Sequence, residues 1–349
     1  MNWFVDRHHD GLAYSIRLLA KRLGATCYFP IGMEWANDYW QIHRPYNYNL
    51  STAKQYLSLN QDYTPIDGTL PLNTIKAVKP THYEVKDLYH GDVLKAITLD
   101  QFKEMDIDVV IASIPDHVIS FTRLIKDHKP KAKLVFQMGN MFNELPALIE
   151  NNIVKNLLAA TIKMPLPKSV NAVFYHEEQP MREYKPPLST PKIKSFVHLL
   201  PNSELYYQYK NALPEVEFKS YGAGCPDGYM DSLESLYDGI QDSNMILQIK
   251  NQGDGFGWNW HSAYMLGRPV ITNFSDYRDK LGGLLFGDCI TGIDLEARPF
   301  NDNIKVIKYI LEDDERLFKM SMNAFNRFNN IVDYDKEQKD IDKFFSFLQ

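Results

Sequence analysis

Short apolar runs alternate with helical stretches twice along this chain, and that alternation restricts the fold more than any other feature. In the first half, the apolar run at 109–113 precedes a helical stretch at 116–128, and the run at 133–139 precedes another at 144–160. Strands that alternate with helices pair in parallel, because parallel neighbours need a crossover connection. The pattern predicts a parallel α/β sheet.

A second α/β region follows a proline-rich segment. Residues 177–193 contain four prolines, which interrupt helices and central strands, and the alternation of strands and helices restarts after them. A chain of 349 residues corresponds to about two domains. We therefore predict a first domain at 1–176, a linker at 177–193, a second domain at 194–325 and a helical tail at 326–349.

Composition excludes several classes of protein. Apolar residues make up 44% and charged residues 23%, which is ordinary for a globular protein. The longest stretch without Asp, Glu, Lys or Arg is Gly255–Gly267, which is shorter than the roughly 20 residues of a membrane-spanning helix. The three cysteines are widely spaced and the N-terminus lacks the pattern of a secretory signal. These features favour a cytoplasmic protein.

The segment Met245–Thr272 carries the most information about function. It contains a strand, then a loop with Gly253, Gly255 and Gly257, then a helix, and finally a second strand. Glycines let the backbone approach a ligand closely, and a helix N-terminus presents N–H groups to an anion. The arrangement predicts a diphosphate site, although a tight structural turn would give the same local pattern.

The sequence DGFGWNWHSAYMLGRPVI, from Asp254 to Ile271, resembles the donor-site signature of GT-B glycosyltransferases, especially the retaining family 4 enzymes. The resemblance implies two Rossmann-like domains that face a cleft, with a helical tail packing back on the first. It also implies a nucleotide-sugar donor such as a UDP-sugar, no catalytic metal and no other cofactor. In the same register, the donor contacts would include Asp254, Gly255, Phe256 and Gly257.

Two departures from the family signature are visible. Ser262 stands where the family has a second glutamate that holds the ribose, and the family's early Arg-x-x-x-x-Lys pair is not evident. We predict that Lys250, at the end of the preceding strand, supplies the cation for the diphosphate. His261, on the first helical turn, is a candidate for a phosphate or sugar contact; packing of the helix is the alternative.

The N-terminal cluster, which consists of Asp6, Arg7, His8, His9 and Asp10, is the candidate for acid–base chemistry. His9 and Asp10 are predicted to be catalytic, with the carboxylate orienting the imidazole as general base for an acceptor hydroxyl. His8, Trp35 and Tyr39 are predicted to contact the acceptor. A polar N-terminal cap and a core role for the aromatic residues are the alternatives.

Two further segments bear on the ligands. Tyr221 and Gly222 follow a strand of the second domain, where the family places the nucleotide base. A basic run at 123–133, with Arg44 and Lys54, could present a positive surface to DNA. Such runs are commonly solvated helix faces, and the net charge of −6 disfavours a polyanionic partner.

These observations predict a glycosyltransferase that moves a hexose or pentose from a nucleotide sugar to a hydroxyl. Two acceptors stay open at this point. One is the hydroxymethyl group of a modified pyrimidine in phage DNA, which is favoured by the abundance of Lys, Asn, Ile and Tyr, residues with A/T-rich codons. The other is a glycan of cell-surface polysaccharide synthesis. A sugar-nucleotide epimerase, a phosphorylase and a non-catalytic nucleotide-sugar-binding protein of the same fold are further alternatives.

Overall fold

The chain forms two compact units in a computed structural model. The structure describes residues 1–6, 10–30, 35, 77–79, 82–87, 89–197, 203–222 and 224–348; at 10, 77–79, 85, 86 and 203 it describes the backbone alone. The first unit comprises Met1–Glu178 with Tyr334–Gln349, and the second comprises Gln179–Asp333.

The first unit is built on a nine-stranded sheet. Its strands are β1 Asn2–Val5, β2 Thr26–Pro30, β3 Ala77–Lys79, β4 His82–Asp87, β5 Asp92–Ile97, β6 Val109–Ala112, β7 Lys133–Met138, β8 Asn156–Ala159 and β9 Asn171–Phe174. Its described helices are α1 Asp10–Arg22, α2 Leu99–Glu104, α3 Pro115–His128 and α4 Leu145–Glu150, joined by the C-terminal helix of the chain.

The strand order in this sheet is β3-β4-β5-β2-β1-β6-β7-β8-β9. Only β3–β4 and β4–β5 are antiparallel among the described pairs. Every residue of β6 is buried, as expected for a central parallel strand covered by helices on both faces. The first strand of the chain therefore lies inside the sheet, with β2 on one side and β6 on the other.

The second unit is built on a five-stranded parallel sheet. Its strands are β10 Lys192–Ser195, β11 Glu217–Ser220, β12 Met245–Leu247, β13 Val270–Thr272 and β14 Gly292–Asp294, in the order β11-β10-β12-β13-β14. Its helices are α5 Ser203–Ala212, α6 Leu233–Gln241, α7 Trp258–Met265, α8 Leu281–Leu285, α9 Phe300–Leu311 and α10 Asp314–Ile331. The predicted fold of two parallel α/β bodies with C-terminal helices is thus present.

The proline-rich segment packs mostly as part of the second unit. The Tyr184 ring lies against the turn at Gly267, where an added Cβ would come within 2.5 Å of the ring, and its hydroxyl pairs with Ser321 at 3.1 Å. The Asn244 amide donates to the Leu188 carbonyl at 2.5 Å. The division between units therefore falls after Glu178, near the start of the segment predicted as linker.

The C-terminal helix α11, Tyr334–Ser346, belongs to the first unit. Its Phe345 ring stacks on Trp3 of β1, with ring centroids 4.6 Å apart. Its Glu337 accepts hydrogen bonds from the backbone N–H of His176 at 2.8 Å and from the His176 ring. The tail that joins the first unit thus begins at residue 334 rather than at 326, because α10 packs within the second unit.

The helix α10 is 18 residues long, and its buried residues recur every three or four positions from Leu317 to Phe328. No helix in the described ranges combines the length and the apolar character needed to cross a membrane.

A buried guanidinium ties three segments of the second unit together. Arg268 is fully buried and follows the turn that ends α7. It donates to the carbonyls of Gln241 at the end of α6 (2.8 Å), of Leu266 (2.9 Å) and of Lys185 in the proline-rich segment (2.9 Å). Burial lowers the pKa of Arg268 to about 10, so the group is still charged at neutral pH. A cation suits helix C-termini, whose last carbonyls carry partial negative charge.

Replacing Arg268 with Met should destabilise the second unit by about 3 kcal/mol, because buried carbonyls lose their donor. Arg268→Lys should lose less, since an ammonium keeps the charge but not the planar fork. The measurement is urea unfolding, with Lys305→Met as a control in a surface ion pair, where we expect less than about 0.5 kcal/mol. Equal stability of Arg268→Met and wild type would contradict this role.

Candidate functional site

The strand order of the second unit marks where a ligand should bind. The strand β10 comes first along the chain, and its two neighbours, β11 and β12, lie on opposite sides of it. In open parallel sheets, ligands bind beyond the carboxyl ends of the strands where the order reverses, because the two crossovers diverge there. That point lies beyond Ser195 and Leu247, and the glycine loop predicted to bind a diphosphate begins directly after Leu247.

The glycine loop is held against the turn that follows β13. Gly253 has φ +62°, and an added Cβ would lie 2.3 Å from the carbonyl oxygen of Asp276, so only glycine fits there. The preceding residue, Gln252, also has positive φ, and its N–H donates to the Asp276 carboxylate at 3.0 Å. The loop backbone is therefore fixed by close contact.

A hydrogen-bonded chain runs from the buried sheet edge to the exposed loop. The Gln248 amide nitrogen donates to the Tyr277 hydroxyl at 3.2 Å and to Asp254 Oδ2 at 3.4 Å. The other Asp254 oxygen pairs with the ammonium of Lys250. Burial raises the pKa of Tyr277 and the nearby Asp254 charge raises it further, so this hydroxyl stays protonated.

The side-chain oxygen of Gln248 differs from the other polar atoms of this hydrogen-bonded network. Gln248 is 1% exposed, yet within the described part of the chain its side-chain oxygen accepts no hydrogen bond. Burying an unpaired amide oxygen costs about 1–3 kcal/mol. An apolar side chain would avoid that cost, so the benefit of Gln248 must come from the two bonds that its amide nitrogen donates.

The helix α7 begins at the end of the loop without a side-chain cap. Its N-cap residue is Gly257, in the left-handed region with φ +79°. The Asn259 side chain donates to the Phe196 carbonyl at 2.9 Å, which fixes the first helical turn to the end of β10. The helix N-terminus thus faces the point where the strand order reverses, which is the geometry of an anion site.

The structure gives protein partners to two residues of α7 that were predicted as donor contacts. Ser262 is fully buried, and its hydroxyl lies 2.9 Å from both the Gln179 side-chain oxygen and the Trp258 carbonyl. His261 is 1% exposed, donates from Nδ1 to the Gly257 carbonyl at 3.0 Å and stacks on Phe256 at 4.0 Å. These contacts favour packing of the helix, because α7 is covered along nearly its whole length.

The predicted base-binding segment lies at the end of β11. The Tyr221 ring stacks on Phe196, with centroids 5.6 Å apart and planes at 15°, and stays partly exposed. Gly222 has φ +135° and donates to the Gly228 carbonyl at 2.7 Å, which closes a turn beside the ring. The arrangement leaves an aromatic surface at the same carboxyl edge as the glycine loop.

The first unit reverses its strand order between β1 and β6, and polar side chains meet there. Asp6, directly after β1, accepts hydrogen bonds from the Ser113 N–H at 2.6 Å, from the Ser113 hydroxyl at 2.5 Å and from His117 Nδ1 at 2.8 Å. Burial raises the pKa of Asp6, but the charge of His117 and these hydrogen bonds outweigh it, so the pKa lies below its ordinary value.

Sequence reasoning did not select Asp6 or His117 as site residues. Asp6 belongs to the N-terminal cluster that was singled out, but its partners lie 107 and 111 positions away in the sequence. A detectable signal was that a short buried strand precedes each member: β1 before Asp6, and β6 before Ser113 and His117.

The remaining predictions for the first unit have separate outcomes. Trp35 fits the alternative of a core role, because it is fully buried, stacks on Phe4 at 4.9 Å and donates to the Ile97 carbonyl at 3.1 Å. His8, His9 and Tyr39 lie outside the described residues. Asp10 is the first residue of α1, and its side chain is likewise outside the description.

The basic run lies at the opposite edge of the first sheet from Asp6. The helix α3 starts at the carboxyl edge, so His128 at its end and Lys133 at the start of β7 lie at the amino edge. The five steps of β7 separate Lys133 from the carboxyl edge by about 17 Å. Arg123 is also within 3.7 Å of Asp127. Arg44 and Lys54 lie outside the described residues.

Among the residues that the structure describes, no group of three or more His, Cys, Asp or Glu side chains is placed to hold a metal ion.

Comparison with known proteins identifies the fold. Anabaena HepE in complex with UDP-glucose superposes with a TM-score of 0.62 at 10% identity, over 99% of both chains. An alpha-glucosyltransferase in complex with UDP and a DNA 13-mer containing an HMU base gives 0.57 at 9% identity, over 99% of this chain and 98% of the other. The predicted GT-B fold is confirmed.

A third similar structure covers less of its own length. A mutant of S. aureus TarM, in complex with Fondaparinux, alpha-GlcNAc-glycerol and UDP, gives a TM-score of 0.51 at 14% identity, and this chain spans 55% of it. No protein-family model matches the sequence, and no curated protein matches it.

The Asp6 carboxylate should make the free energy of unfolding depend on pH in the acidic range. Because the folded pKa lies below the ordinary value of 3.8, Asp6 stabilises the fold above that pH and loses this contribution as pH falls through the folded pKa. We expect Asp6→Asn to cost about 2 kcal/mol at pH 7 and much less near pH 2.

The measurement is urea unfolding of both proteins between pH 2 and pH 7. Asp100→Asn serves as the control, because Asp100 is 87% exposed in a surface pair with Lys103. A constant difference between wild type and Asp6→Asn across this range would show that the carboxylate charge does not matter.

Proposed function

We propose that this chain is a glycosyltransferase that moves a sugar from a nucleotide-diphosphate donor to an acceptor hydroxyl. One observation carries the proposal: a glycine loop, the Lys250 ammonium and the N-terminus of α7 converge where the strand order of the second sheet reverses. That combination fits a diphosphate, and in the similar HepE structure the ligand is UDP-glucose.

In the proposed donor complex, Lys250 and the backbone of Gly255, Phe256 and Gly257 hold the diphosphate. The leaving diphosphate gains negative charge as the bond to the sugar breaks, and the ammonium and the helix N-terminus would stabilise it. Asp254 would accept hydrogen bonds from sugar hydroxyls. Tyr221 and Gly222 would contact the base, because the partly exposed ring offers a stacking surface.

For the acceptor, we propose His9 as general base with Asp10 as its orienting carboxylate, and His8 and Tyr39 as further acceptor contacts. Support comes from the sequence position of the cluster, since Asp6 lies at the reversal point of the first sheet. Chain segments that follow such strand ends line ligand sites in this class of fold.

The acceptor proposed first is a saccharide hydroxyl. The basic run at 123–133 gives little support to DNA, because it lies at the amino edge of its sheet. A hydroxymethyl pyrimidine in DNA is the second candidate, since the similarity to the alpha-glucosyltransferase bound to HMU-containing DNA extends over 99% of the chain.

One experiment separates these functions. The protein is incubated with UDP-glucose, UDP-GlcNAc, GDP-mannose or ADP-glucose, and with either a panel of glycans or duplex DNA containing hydroxymethylcytosine or hydroxymethyluracil. Mass analysis of glycans and nucleosides then identifies the product. Transfer to neither acceptor, together with tight nucleotide-sugar binding, would favour the non-catalytic binding protein.

Lys250→Ala should weaken binding of UDP-glucose by about 10- to 150-fold, the value of a lost charge-assisted hydrogen bond. Isothermal titration calorimetry measures this directly. Lys305→Ala, which removes an exposed ammonium from α9, is the control and should leave the affinity unchanged. Unchanged titration of Lys250→Ala would remove Lys250 from the donor site.

His9→Ala and Asp10→Ala should lower turnover by about 100-fold or more while changing donor affinity little, because a general base acts on the acceptor hydroxyl. Steady-state kinetics and calorimetry on the same preparations measure both quantities. Equal losses in turnover and donor affinity would assign these residues to binding instead.

A further inference from the structure

The charges of the glycine loop are already paired with each other. Lys250 is 45% exposed and Asp254 is 26% exposed, and their ion pair joins the two ends of the loop. An anion that draws the ammonium of Lys250 away from Asp254 leaves this carboxylate without its cation. A carboxylate beside a diphosphate is repelled unless another donor holds it or a ligand hydroxyl binds to it.

Gln248 is the hydrogen-bond donor that remains on Asp254 when Lys250 binds a ligand instead. Its amide nitrogen reaches Asp254 Oδ2, the oxygen that does not pair with Lys250, at 3.4 Å. The same nitrogen is fixed by the Tyr277 hydroxyl at 3.2 Å, and Tyr277 packs on Trp260 of α7 at 4.3 Å. Neither Gln248 nor Tyr277 is exposed enough to bind a ligand itself.

We propose that Gln248 is a positioning residue that, with Tyr277, holds the carboxylate of Asp254 in place. In that position, Asp254 favours binding of the sugar-bearing donor over binding of the bare nucleoside diphosphate. This inference rests on the proposed function. When the donor binds, Lys250 exchanges Asp254 for the diphosphate, and Gln248 keeps the carboxylate directed at the sugar hydroxyls, which donate to it.

The charge of the two nucleotides explains the selection. Loss of the sugar leaves a terminal phosphate with about one more negative charge at neutral pH, since its second pKa is about 6. The carboxylate of Asp254 therefore opposes the bare diphosphate and accepts hydrogen bonds only from the sugar form. The same carboxylate would promote release of the nucleoside diphosphate after transfer.

The test measures the affinities of UDP and UDP-glucose by calorimetry for wild type and variants. Asp254→Asn should bind UDP about 5- to 20-fold more tightly, because repulsion is removed and Lys250 is released, and should bind UDP-glucose about 10-fold more weakly. Gln248→Met and Tyr277→Phe should weaken UDP-glucose binding about 3- to 10-fold without a comparable loss for UDP.

Gln241→Met is the control for the same change of side chain away from the loop, because the Gln241 amide donates to the Glu183 carbonyl at 2.9 Å in an exposed position. Its ratio of the two affinities should equal that of wild type. Urea unfolding of each variant checks that the second unit remains folded at the temperature of the titration.

The outcomes separate this inference from the proposed function. If wild type binds none of UDP-glucose, UDP-GlcNAc, GDP-mannose and ADP-glucose, and none of the corresponding nucleoside diphosphates, both are overturned. If wild type binds both nucleotides, but Asp254→Asn weakens both equally or Gln248→Met has the same affinity ratio as Gln241→Met, the selection role of Gln248 and Asp254 is overturned and the donor site stands.

Discussion

Parallel pairing around a first strand that lies inside its sheet is the constraint on which this structure depends. The strand β1 pairs with both β2 and β6, and β10 pairs with both β11 and β12. Since each parallel pair needs a crossover, crossovers on either side of the first strand diverge at its carboxyl end. The polar groups of both units, Asp6 in one and the Lys250 loop in the other, lie at those ends.

The second unit buries polar groups both at the amino edge of its sheet and beneath its candidate site. The Arg268 guanidinium fixes the ends of α6 and α7, and the chain from Tyr277 through Gln248 to Asp254 fixes the loop. Both depend on low-dielectric surroundings, where a satisfied hydrogen bond is strong and an unpaired group is costly. An exposed pair such as Lys250 with Asp254 can exchange partners because little desolvation cost opposes it.

Particular residues show where sequence reasoning succeeded and where it could not. The segment Met245–Thr272 predicted a strand, a glycine loop and a helix, because those features are local. Its resemblance to the GT-B donor-site signature implied the fold. From the sequence alone, Ser262 and His261 are candidates for ligand contacts. In the structure α7 is buried along nearly its whole length, so both side chains contact neighbouring protein groups instead. Whether a polar side chain meets ligand or protein depends on what packs above the helix.

The sequence by itself determined the alternation of strands and helices, the positions of the glycines and the proline-rich division of the chain, since periodicity and backbone conformation are properties of neighbouring residues. Tertiary structure alone decided which distant groups meet. Asp6 and His117 are 111 positions apart, Gln248 and Tyr277 are 29 apart, and α11 joins the first unit although it follows the second in the chain. Such contacts arise when strand order and packing bring remote segments together. Patterns among neighbouring residues do not predict which remote residues will come into contact.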